Sequence, residues 1–161
     1  TSAAATERMR IHSDGAVTKP AQPAFQATTA ALTNVTGDGT SYTVVWGTEV
    51  FDQGGDYSGA TFTAPVTGKY LLTYDLPLAG LASGHTYGSW SIVTSNRSYS
   101  HMVSPYALVP SLGGFVSQGL SCVADMDAAD TAHCVIQVSG GAATVDVGAA
   151  NNSNFSGCLL A

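Results

Sequence analysis

Charge is scarce in this chain: only 10% of its 161 residues are Asp, Glu, Lys or Arg. The Glu, Lys, Leu and Arg that fill ordinary surface helices are few, and no segment carries a helical apolar stripe. The five basic residues, Arg8, Arg10, Lys19, Lys69 and Arg97, are scattered, and the formal net charge is −6. No basic patch forms, so a nucleic-acid-binding surface is excluded. No apolar run has the length of a membrane-spanning helix, no signal-peptide pattern opens the sequence, and the chain reads as soluble.

Cysteine is also scarce. The three residues Cys122, Cys134 and Cys158 make an odd count with no close pair, which argues against a disulfide framework. Cys122 and Cys134 are placed to face each other across a hairpin, but the plainer reading is buried free thiols. No Cys/His spacing suits zinc. A serine-hydrolase elbow is missing as well, and His12, His85, His101 and His133 fall on different elements, so the chain reads as non-enzymatic.

What is abundant is Thr, Ser, Ala and Gly, a mixture suited to short strands and tight turns. A surface with few charges also leaves room for subunit contacts, because desolvating charge is costly. Residues 1–22 differ from the rest. A small-residue stretch leads into Glu7 to Ile11, then a turn signal at Asp14-Gly15. Pro20 and Pro23 bracket what reads as an extended linker from something upstream.

Strands follow from Ala24 onward. Phe25–Leu32 reads as the first, and Tyr42, Val44 and Trp46 alternate with polar or small partners as in a half-buried strand. Tyr70, Leu72, Tyr74 and Leu76 line one face of another, expected to end or reach an edge at Pro77. Tyr87–Thr94, Ser98–Val103, Phe115–Ala124, Thr131–Ser139, Thr144–Val147 and Phe155–Leu160 complete the series. About ten short strands with regular turn signals predict an all-β sandwich. The closing Cys158-Leu159-Leu160 run is apolar on both faces, so it is expected to be covered on both sides and to lie inside a sheet, a jelly-roll habit.

Four stretches resemble one family. Pro23 to Ala27 is similar to the opening strand of complement globular heads, and Phe62-Thr63-Ala64-Pro65-Val66-Thr67-Gly68-Lys69-Tyr70 to the family's core motif. Asp127 to Thr131 sits where the family has its late Gly-Asp turn, and Asn154 to Leu160 looks like its closing strand. Cys158 replaces the usual Phe, and Ala129 the usual Gly. No Gly-X-Y repeat occurs within residues 1–22. The resemblance spans residues 23–161. It implies a ten-stranded, tumour-necrosis-factor-like jelly roll that forms a homotrimer. The Glu7 to Ile11 phrase with Asp14-Gly15 resembles segments near the ends of phage tail and fibre proteins. Together these imply a trimeric knob on a virion surface that attaches to a host receptor or glycan. A secreted or bacterial-surface binding module is the alternative.

Candidate site residues follow. Asp125, Asp127 and Asp130 start like a calcium loop but lack the later Glu, and calcium there is implied only because some complement heads bind it near the trimer axis. Asp52 and Asp56 form a second acidic group beside Gly54 and Gly55. Both groups read more simply as solvated turns. Trp90, Tyr99 and Tyr106, with Tyr87, are candidate ligand-binding aromatics, and the Ser104–Gly114 loop is the expected place for receptor contact. The Asn-X-Ser/Thr triplets, such as Asn34-Val35-Thr36, are expected by chance in so Ser/Thr-rich a chain.

Overall fold

The computed structural model describes residues 7–109, 114–148 and 153–161. Part of the Ser104–Gly114 loop, with Pro110 and Gly113, lies outside these residues. So do Thr1–Thr6 and the Asn151-Asn152 pair.

A small hairpin comes first, β1 (Arg10–Ile11) against β2 (Val17–Thr18). Its turn is closed by the Gly15 amide donating to the His12 carbonyl, so the Asp14-Gly15 signal is a real turn. The expected extended linker is instead bent: the Gln22 amide donates to the Lys19 carbonyl, folding the chain at Pro20.

Then come β3 (Ala24–Thr28), β4 (Leu32–Thr36), β5 (Ser41–Thr43), β6 (Thr48–Gln53), β7 (Tyr57–Ser58), β8 (Thr61–Thr63) and β9 (Gly68–Ala79). β10 (Tyr87–Thr94), β11 (Ser98–Val103), β12 (Val116–Met126), β13 (Thr131–Ser139), β14 (Val145–Val147) and β15 (Asn154–Leu159) follow. They form two facing antiparallel sheets. The front sheet runs β12, β9, β15, β3, β6, with β14 beside β9 and β4 beyond β14. The back sheet runs β11, β10, β13, β8, β7, with β5 also on β13. The last strand is thus inserted between β9 and β3 inside the front sheet, as expected from its pattern.

Period-two alternation puts Tyr70, Leu72, Tyr74, Leu76 and Leu78 inward from β9, and Ala132, Cys134, Ile136 and Val138 inward from β13. Phe25 is the hub between the sheets. It stacks on Tyr57 and Phe62 with centroids 4.9 and 4.8 Å away, and meets Phe155 edge-on at 5.0 Å.

Four strand readings change. The single Phe25–Leu32 strand is two, because the chain turns at Thr29, whose amide donates to Ser153 Oγ, and β4 then pairs β14. Val44 and Trp46 are buried as the alternation requires, but the ladder ends at Thr43. β9 does not stop at Pro77. The Pro77 carbonyl accepts from the Gly148 amide, so its nitrogen faces the same side, between the ends of β15 and β14, where no ladder bond is needed. The closing run is covered on one face only: Leu159 packs against the core, while Cys158 is half-buried and Leu160 is exposed.

Candidate functional site

The residues that β9 turns away from the core define a surface. Leu71 lies opposite Cys158 of β15 on one side and Val123 of β12 on the other. Thr73 lies between Ser156 and Ser121, and its Oγ1 is 2.7 Å from Ser121 Oγ. Ala24 and Gln26 of β3 continue these rows, and Gln26 is opposite Phe51 of β6. The central charge on this face is Asp75, whose Oδ1 accepts from Ser117 Oγ at 2.8 Å. Lys69 and Asp125 pair at the end of the sheet, 3.4 Å apart. Covering such a face desolvates little charge.

Beside it lies a second surface poor in charge. β11 and β12 are the edge strands of their sheets on one side of the sandwich and approach each other. β11 reads Ser-Tyr-Ser-His-Met-Val, with Met102 exposed, and Val123 and Phe115 are exposed at β12. Face and edge therefore meet along β12.

The candidate aromatics separate. Trp90 is 0% exposed and cannot contact a ligand. It sits at an inward position of β10, opposite Ile136, and its ring takes the space left by the missing Cβ of Gly88. Tyr99, opposite Ile92, is half-buried against the core. Tyr106 is 51% exposed, in the 3-10 turn Pro105–Ala107.

Asp125, Asp127 and Asp130 are not gathered around one point. Asp125 is spent on Lys69 across the front sheet. Asp130 Oδ2 accepts from the Asp127 amide and from Asn96 Nδ2, each at 2.8 Å, closing its own turn. Among the described residues no three His, Cys, Asp or Glu side chains converge as metal ligands. In the other acidic loop, Asp52 accepts from the Asp56 and Tyr57 amides at 3.2 and 3.0 Å. Burial, and then the Asp52 charge, push the Asp56 carboxyl above its ordinary range.

His85 is a residue that the sequence did not single out for structure. It is buried, and its Nδ1 accepts from the Ala82 amide at 2.8 Å. Its Nε2, 3.1 Å from the Ala142 carbonyl, therefore carries the proton and donates. The His85 carbonyl accepts from the Tyr106 amide. One imidazole thus ties together the loops at the end of the sandwich that carries Tyr106. The nearby Gly140-Gly141 pair was the available signal: a Cβ on Gly141 would strike the ring at 2.5 Å.

No protein-family model matches the chain, and no curated protein matches it. Solved structures do. Murine APRIL at pH 8.0 aligns over 86% of this chain and 99% of its own, with 14% identity and a TM-score of 0.61. The globular domain of zebrafish complement 1qA protein aligns over 86% and 98%, with 16% identity and a TM-score of 0.53. The likeness establishes the fold, a jelly-roll sandwich of the tumour-necrosis-factor and complement-head type.

Proposed function

We propose that this jelly roll is a homotrimeric binding module, displayed as a terminal knob on a virion fibre or tail, that attaches to a receptor or glycan on the host surface. The observation that carries the trimer is the pairing of a face and an edge, both poor in charge. A heterologous contact, the β11/β12 edge of one copy on the Leu71–Cys158 face of the next, closes into a ring when the rotation is threefold. The phage-like Glu7 to Ile11 phrase supports the virion setting. The exposed Tyr106, on a loop end pinned by His85, supports attachment there. Three copies on one axis would add avidity to weak single contacts.

Leu71→Arg tests the assembly. It puts a charge in the middle of the face without touching the core. A folded monomer by circular dichroism and light scattering is expected, against a trimer for the parent. A Leu71→Arg protein that remains trimeric would contradict the assigned face. Labelled parent protein is expected to bind candidate host cells and Tyr106→Ala protein to bind them less. Equal binding by the two would remove Tyr106 from the contact.

A further inference from the structure

The N-terminal hairpin carries an apolar surface that its own chain leaves uncovered. Met9, Ile11 and Val17 are 55%, 69% and 54% exposed, and Ile11 and Val17 are directly paired across the two strands. A two-stranded hairpin of this size is marginal alone. Here it is held at its base by amide contacts: Gln53 Nε2 reaches the Lys19 and Gln22 carbonyls at 2.8 and 2.9 Å, and Gln22 Nε2 the Leu159 carbonyl at 2.6 Å. A cleft of about 380 Å³ separates it from the front sheet, between Val17 and Cys158.

A second uncovered apolar surface lies on β6, whose only ladder partner among the described residues is β3. Val50 and Phe51 are 58% and 49% exposed, flanked by Glu49 and Asp52. This edge has no Lys or Pro, but Glu49, Asp52 and a bulge at Val50 blunt it for strand pairing, so what it offers a partner is side-chain packing on Val50 and Phe51.

The two surfaces complement each other in charge. Residues 7–19 hold three cations (Arg8, Arg10, Lys19) against two acids (Glu7, Asp14), a net +1. The β6 segment holds two acids, Glu49 and Asp52, and no cation, a net −2. Yet they do not meet within one chain: Gln53 ends β6 at the hairpin's base, while Ile11, Val17, Val50 and Phe51 all stay open.

We propose that the occupant is a second copy of this chain: the hairpin of one copy packs Ile11 and Val17 against Val50 and Phe51 on the β6 edge of the next, with Lys19 toward Glu49. This rests on the trimer reading, and it makes the hairpin a strap that joins neighbouring heads beside the main interface. The cleft beside Val17 opens onto the front face, so strap and face form one continuous contact.

The test follows dissociation of the full chain by sedimentation velocity across a dilution series. Ile11→Ser with Val17→Ser, substitutions outside the core, is expected to raise the dissociation concentration about tenfold or more, with unchanged circular dichroism. Lys19→Glu is expected to weaken the trimer, and Glu49→Lys added to it to restore most of the loss. Hydrogen exchange at residues 9–18 is expected to slow on assembly. A trimeric parent whose dissociation is unmoved by these variants overturns the strap and leaves the trimer standing. So does exchange in the hairpin that is the same in monomer and trimer, which would assign the patch to a different partner. A parent that is monomeric at every concentration overturns the trimer reading itself, and the strap with it.

Discussion

Gly157 of β15 points at Phe25: a Cβ built on it would lie 2.7 Å from a ring carbon of Phe25 and equally close to a Leu72 methyl. Real side chains do not approach so closely, and both neighbours are fully buried. Gly157→Ala is therefore expected to destabilise the fold by about 1–3 kcal/mol, as overpacking does in a dense core. Urea unfolding measures it. A variant as stable as the parent would show that the two sheets can part slightly at this point.

Tyr70 tests the core from the opposite direction. Its ring is buried against Phe62, centroids 5.4 Å apart, and its hydroxyl donates to the Val66 carbonyl at 2.7 Å. Removing the ring with Tyr70→Ala should cost about 3–5 kcal/mol. Tyr70→Phe, which removes only the hydroxyl, should cost about 1 kcal/mol. Equal losses in the two variants would contradict the burial.

Most of the sandwich was legible because alternation on long strands is a strong signal. Tyr87–Thr94, Ser98–Val103 and Thr131–Ser139 have the bounds their patterns predict. Pro77 misled because its effect depends on which side of the strand needs a donor, and that is set by where β14 and β15 end. The surfaces were harder to read. Trp90 shares the Ile92 face of β10, and whether that face meets core or ligand is decided by the sheet packed against it. His85 finds its partners 3 and 57 residues away, and no local pattern joins them.

Asp56 makes the stability of the fold depend on pH. Its folded carboxyl is raised above the ordinary 3.8, first by burial and then by Asp52. The folded state therefore holds the proton more tightly than the unfolded one. Stability from this group is fully present below the unfolded value and is lost as pH rises through the folded one. Asp56→Asn is expected to raise the melting temperature at pH 7 and leave it unchanged at pH 3. A stabilisation equal at both pH values would contradict the assignment.

The acidic turn makes a separate prediction. Since Asp130 closes its own turn and Asp125 pairs with Lys69, millimolar calcium is expected to leave the melting temperature of the chain unchanged, and so is a chelator. Asp130→Ala should cost about 1–2 kcal/mol through lost turn hydrogen bonds, with or without calcium. A calcium-dependent rise in melting temperature that Asp130→Ala abolishes would restore the metal reading.

In the proposed assembly a face and an edge poor in charge bring three copies together. Light scattering on the unmodified chain during size-exclusion chromatography tests it most directly. The expected mass is three times the 16.4 kDa of one chain. A stable monomer at micromolar concentration would contradict it.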